Sequence, residues 1–91
     1  MAGSDNKVSY ITATGTVFAG PARITGLHYH SGGSTGKIVL RDGGASGAVV
    51  ATFDFHATST GDMHVPDEGI RFETDVHATL TNMTSVSFFY K

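Results

Sequence analysis

The chain has no cysteine. That removes a disulfide framework and any thiolate metal site, while leaving the redox compartment open. It has no long apolar run either. The uninterrupted apolar stretches are a few residues long, against the roughly 20 that a membrane-spanning helix requires. Charge of both signs is sparse: Asp, Glu, Lys and Arg make up 15% of 91 residues, and the net charge is −2 with neutral His. With no basic run, electrostatic binding of nucleic acid is not expected. The opening "MAGSDNK" is polar and lacks an apolar h-region, so a protein made and used without Sec export is expected. Helix patterning is missing as well. No window places apolar residues at i, i+3, i+4 and i+7, and Leu occurs only three times.

What remains is strand composition: Thr, Val, Ile, Phe and Tyr between glycines. Met1 to Lys7 reads as a mobile arm, and residues 8–91 as one domain with a thin core. A chain of this length buries roughly 60–70% of its unfolded surface. "VSYITAT", Val8 to Thr14, alternates as a strand does, and "GTVFAG" is a short strand before the Gly20-Pro21 turn. "ARITGLHYHSG" is a strand with Gly26 inside it, which predicts a bulge or a close backbone approach. "KIVLRD" follows the "GGSTG" turn. In "AVVATFDFHAT", Ala48 to Thr58, Val49, Ala51, Phe53 and Phe55 share one face. "DMHV" ends at Pro66, and "GIRFET", "VHATLT" and "SVSFFYK" follow, the last two joined at Asn82. Eight or nine short strands at roughly 8–12-residue spacing predict an all-β, antiparallel sandwich.

Two motifs suggest chemistry. "STGKI" imitates a phosphate loop, but Ser31 stands where the first glycine belongs and Ile38 where a Ser or Thr would hold magnesium. The segment also opens a strand, not a helix. In "HYH", His28 and His30 point to one side of a strand, at a spacing that suits zinc, nickel or copper. A cupin-like site would continue with a Glu, yet no acid follows before Asp42. A third ligand would have to come from His56, His64 or His77. The plainer reading is a polar sheet face alternating with Leu27 and Tyr29, so no metal and no cofactor are expected, with His28 and His30 as the only candidates. Asp67 and Glu68 read as solvated turn carboxylates, and no Gly-x-Ser-x-Gly elbow exists. Asp42 reads as a turn starter that accepts backbone N–H groups. Arg41 is a candidate for pairing with an exposed acid. Phe89 either lies on a strand covered on both faces or belongs to a subunit interface. Tyr29, His28 and His30 are the other candidate interface residues.

The stretches "GKIVLRDGGASGAVVATFDFHA" and "VPDEGIRFETDVHATLTNMTSVSFFYK" resemble small structural proteins of tailed bacteriophages, over about Gly20 to Lys91. The resemblance rests on the "RDGG" turn, the "GIRF" turn and strand, and the final aromatic strand. Its turn positions fall on Arg41, Asp42, Gly43, Gly44, Pro66, Gly69, Ile70 and Phe72. It implies a jelly-roll-like sandwich with no enzymatic activity. The implied role is a capsid decoration or cement protein, a homotrimer bound to the major capsid protein or another virion protein. It would sit on the capsid surface after assembly in the host cytoplasm, without nucleic-acid or membrane partners. A tail-fibre or receptor-binding module that takes carbohydrate is the alternative, and a metal-binding cupin-like protein is a further one.

Overall fold

Every segment that alternates in the sequence becomes a strand in the computed structural model, which describes residues 7–65 and 69–91. The elements are β1 (Lys7–Ile11), β2 (Gly15–Phe18), β3 (Ala22–Ser31), β4 (Gly36–Asp42), β5 (Ala48–Phe55), β6 (Thr60–His64), β7 (Ile70–Phe72), β8 (Val76–Thr81) and β9 (Met83–Tyr90). They form two antiparallel sheets. The first runs β1-β9-β3-β6, with β7 lying beyond β6 along the same edge of β3; the second runs β2-β8-β4-β5. The chain changes sheet at almost every connection, and this order is the winding of a jelly roll. The fold is therefore the all-β antiparallel sandwich, jelly-roll-like, that the sequence predicts. Residues 1–6 and 66–68 lie outside the described residues, and with them most of the expected arm, Pro66 and the Asp67-Glu68 pair. Lys7, assigned to that arm, instead begins β1 opposite Tyr90.

The core is the apolar face of each sheet. Ile24, Leu27, Phe72, Val86 and Phe88 from the first sheet meet Val17, Ile38, Leu40, Val76 and Ala78 from the second, and Met83 fills the corner between β8 and β9. Aromatic pairs close the sides of the sandwich, Phe18 on Tyr90 at 5.0 Å and Tyr29 on Phe55 at 4.2 Å between ring centroids. Only Asn82 links β8 to β9. Its φ of 54° is a left-handed conformation that Asn tolerates better than most side chains.

One irregularity sets which residues of β3 face outward. Ile24 pairs with Tyr90 of β9, but Gly26 already pairs with Phe89, so β3 carries one extra residue there. This is a β-bulge. Gly26 also lies against β6: a Cβ built on it would come within 2.7 Å of the Met63 carbonyl oxygen. Both features expected of this glycine are present. Beyond the bulge, Leu27 is buried and Tyr29 half-buried, while His28 and His30 are exposed.

The "RDGG" turn is held in an unexpected way. The Asp42 carboxylate does accept backbone N–H groups, but from the distant β7–β8 connection: Glu73 and Thr74 at 2.8 Å and Asp75 at 3.3 Å. Asp75 reciprocates, accepting from the N–H groups of Gly43 at 2.9 Å and Gly44 at 3.0 Å. Both glycines have positive φ, 107° and 84°, where a side chain would be strained. Each carboxylate thus clamps the other's loop. The Glu73 N–H, and then that of Thr74, lowers the Asp42 pKa below the usual carboxylate value, outweighing a small opposing effect of burial. Arg41 makes its bond to a backbone oxygen, with its guanidinium donating to Gly47 at 3.1 Å.

Several strand ends differ from the sequence reading. β1 stops at Ile11 because Thr14 turns to meet Leu80, its hydroxyl accepting the Leu80 N–H at 2.9 Å. β5 stops at Phe55, where the buried Ser31 hydroxyl takes the His56 carbonyl at 2.6 Å and Thr58 adopts φ 49°. β6 begins at Thr60, two residues before "DMHV".

Candidate functional site

The outward face of the first sheet holds most of the side chains singled out in the sequence. Register fixes their arrangement. One row across four strands reads Tyr10, Ser87, His28, Asp62, and the next reads Val8, Phe89, Gly26, His64. A third places Ser85, His30 and Thr60 side by side. His28 Nδ1 lies 2.5 Å from the Asp62 carboxylate, and His30 Nδ1 lies 2.6 Å from the Thr60 hydroxyl. The acid missing from the sequence around "HYH" therefore comes from across the sheet. His28 is about half-exposed and Asp62 more so, 48% and 77% of their side chains, so solvent screens the pair and it adds little to stability.

Among the described residues, no three His, Asp or Glu side chains gather closely enough to hold a metal ion. His64 lies in the neighbouring row opposite Gly26, His56 follows β5 in the connection to β6, and His77 belongs to β8 in the other sheet. His28 and His30 have no third imidazole beside them. Their partners orient both rings without building a metal site.

The four candidate interface residues divide. His28, His30 and Phe89 share the outer face. Tyr29 lies on the inner face against Phe55, because alternation after the bulge turns it away from its neighbours. Phe89 sits on a central strand, as one sequence reading required, but no further layer among the described residues covers its outward face. Its ring instead lies over Gly26, 3.7 Å from where a Cβ would be. That cross-strand cover accounts for its half-burial. Beside it, Asp62, Met63, His64 and Phe89 line a shallow cleft of about 460 Å³.

Two features of the surface were not visible in the sequence. Among the described residues, the exposed large hydrophobics, Val8, Tyr10, Val49 and Val50, all lie on β1 and β5. These are edge strands, one in each sheet and on opposite sides of the sandwich. Val49 was expected to share one face with Ala51, Phe53 and Phe55. It is exposed because the pairing of β4 with β5 shifts between Leu40 and Arg41, at the end of the sheet. The second feature is a groove of about 640 Å³ at one end of the first sheet. It is lined by Lys7, Arg23, Arg71 and Lys91 around Pro21, Ala22 and Phe72. On the outer face of the second sheet, His77 Nδ1 and Arg41 Nε are buried without a partner among the described residues. His77 and Arg41 are register partners.

No family model matches this chain, and no curated protein or solved structure shows significant similarity to it.

Proposed function

We propose that this protein is a non-enzymatic structural component of a virion, a capsid decoration or cement protein that assembles as a homotrimer and binds the major capsid protein lattice. One observation carries the reading: among the described residues, the exposed large hydrophobics are confined to two edge strands on opposite sides of the sandwich. Soluble β-proteins normally guard such edges with charge, proline, bulges or brevity. β2 has only four residues and a register shift, and the β6–β7 edge is broken in two and carries Asp62, His64 and Arg71. β5 has eight residues and a single charge, Asp54.

The placement of the two edges favours a particular kind of contact. A two-fold dimer through β5 would leave Val8 and Tyr10 uncovered. A head-to-tail contact, β5 of one copy against β1 of the next, covers both patches, and head-to-tail contacts close into rings. The single charges on the two strands, Lys7 and Asp54, are opposite in sign. The number three comes from the resemblance to phage structural proteins, whose turn residues recur here. The faces left outside the ring, including His28, His30 and Phe89, are then available to the lattice.

Complementary variants test the assembly. Tyr10→Lys blocks β1 but leaves β5 intact, and Val50→Lys does the reverse. Sedimentation is expected to give a trimer for wild type, monomers for each variant, and a one-to-one pair when the two are mixed. A monomeric wild type at micromolar concentration, or a Tyr10→Lys protein of unchanged mass, sinks the ring. Virion membership is tested separately, by quantifying peptides of this chain in purified particles. Copy numbers far below those of the capsid lattice refute the structural role. The carbohydrate-binding alternative is favoured by the cleft between Phe89, His64 and Asp62, near the exposed Tyr10. Saturable glycan-array binding lost in Phe89→Ala would replace the cement reading with that one.

A further inference from the structure

Asp42 is followed by Gly43, and no other Asp or Asn in the chain precedes a glycine. Gly43 is exposed, in the loop between β4 and β5. This dipeptide carries a chemistry of its own. An aspartyl side chain can close onto the next backbone nitrogen, and glycine, with no Cβ, obstructs that approach least. The Gly43 nitrogen attacks the Asp42 carboxyl carbon and gives up its proton. The carboxyl OH leaves with that proton as water, and a five-membered succinimide remains. Water then opens the ring at either carbonyl carbon. One opening restores aspartate. The other routes the main chain through the side-chain carbon and leaves isoaspartate. No oxidant, reductant or other reactant enters.

The clamp between the two loops opposes each requirement of that step. Ring closure needs the Asp42 carboxyl to swing back onto its own chain. Both of its oxygens are held by another segment: Oδ2 accepts the Glu73 N–H at 2.8 Å, and Oδ1 accepts those of Thr74 at 2.8 Å and Asp75 at 3.3 Å. Closure also needs the Gly43 nitrogen to release its proton. That N–H donates to Asp75 Oδ1 at 2.9 Å, and the Gly44 N–H donates to the same oxygen at 3.0 Å. Hydrogen bonds to an ionised group are the stronger kind. Closure further needs the neutral carboxyl, since a carboxylate resists attack. The Glu73 N–H, and then that of Thr74, holds the Asp42 carboxyl below its ordinary pKa and so favours the ionised form. We propose that Asp42–Gly43 is a latent site of spontaneous aspartate-to-isoaspartate conversion, which the reciprocal clamp with Asp75 keeps closed and which local opening of the two loops exposes. Opening of this kind does not require the whole sandwich to unfold. Isoaspartate has one more main-chain carbon and one fewer in its side chain, so its free carboxylate is displaced from the Glu73, Thr74 and Asp75 N–H groups. Conversion is therefore a one-way loss of the clamp.

The test incubates the full chain at neutral pH and physiological temperature. Isoaspartate at position 42 is followed by peptide mapping, as resistance to an aspartate-specific protease at that residue. The same chain unfolded in guanidinium chloride gives the unprotected rate. Folded wild type is expected to convert at least about tenfold more slowly, because opening must break hydrogen bonds to charged groups. Asp75→Ala frees the Gly43 N–H and is expected to convert about tenfold faster than folded wild type. Asp75→Asn keeps the shape but accepts less strongly, and is expected to fall between the two. Gly26→Ala loosens the fold in the other sheet and is expected to convert at the wild-type rate. Folded wild type that converts as fast as the unfolded chain overturns the proposal, as does a folded Asp75→Asn protein that converts no faster than wild type. Equal acceleration in Gly26→Ala and Asp75→Ala also overturns it, because the protection would then belong to global stability and not to the clamp.

Discussion

Replacing Gly26 with Ala puts the bulge in β3 under direct test. The new Cβ would lie 2.7 Å from the Met63 carbonyl oxygen, with His64 Nδ1 at 3.5 Å and the Phe89 ring at 3.7 Å. The last two are ordinary contacts. The first is not, since a carbon and a carbonyl oxygen approach no closer than about 3.3 Å even in the close C–H···O contacts of sheets. The obstructing atom is backbone, so no side chain can rotate away, and β6 must retreat by roughly 0.6 Å. Overfilling of this kind costs about 1–3 kcal/mol. Against it stands a gain of about 0.4–1 kcal/mol, because alanine restricts the unfolded chain. The net expectation is a loss of about 1–2 kcal/mol. In urea, with a slope of roughly 1–1.5 kcal/mol per molar for a domain of this size, the midpoint falls by about 1 M. Gly33→Ala is the matched control: nothing lies within 4 Å of the added Cβ, so only the unfolded-chain effect remains and the midpoint should hold or rise. Equal midpoints for the two variants would refute the claim that β6 presses on this glycine.

The core and the clamp give further expectations. Phe88 is fully buried, and Phe88→Ala should cost about 3–5 kcal/mol, a large part of the ~5–14 kcal/mol expected for a chain of this length; a melting temperature lowered by less than about 10 °C would place Phe88 outside the core. Asp42 gives the acid limb of stability. Its folded pKa is depressed, so the unfolded chain binds the proton first as pH falls. Its contribution is complete above the ordinary carboxylate pKa and is lost as pH falls through the folded value. Asp42→Asn should be less stable at neutral pH and flatter below about pH 4, and parallel stability curves for the two proteins would contradict the clamp. Asp62→Asn removes the partner of an exposed histidine and should change stability by less than about 1 kcal/mol in chemical denaturation; a larger loss would mean that the His28–Asp62 pair supports the sheet.

Strand identity was legible because one face of each strand is buried. Val76, Ala78 and Leu80 alternate with more polar residues in the sequence and mark β8 to the residue. Pairing was not legible, since partners lie far apart: Asp62 meets His28, and Asp42 meets Glu73. Nothing in "RDGG" says that its carboxylate serves another loop. The basic groove shows the same limit. Its cations are at positions 7, 23, 71 and 91, too far apart to form a charge run. The absence of such a run correctly describes the sequence and says little about the surface, because register collects them. The exposed valines of β5 were hidden for a different reason. Alternation tells which residues share a side, but the register shift between Leu40 and Arg41 pairs Val49 with Arg41 and so turns it to the opposite side from Ala51.

The bulge at Gly26 connects fold to surface. Ile24 faces the core, and strict alternation from it would turn Gly26, His28 and His30 inward and Leu27 and Tyr29 outward. Two imidazoles would then enter the apolar layer between the sheets, and a fully buried leucine would leave it. One extra residue in β3 resets the parity, so both halves of the strand bury their apolar side chains. The glycine that permits the bulge is also the floor on which Phe89 rests and a point where β6 approaches closely. The outward histidines, their Asp62 and Thr60 partners and the cleft beside Phe89 therefore depend on a single backbone irregularity. A substitution there should disturb the outer face and the core packing together, even though Gly26 contributes no side chain to either.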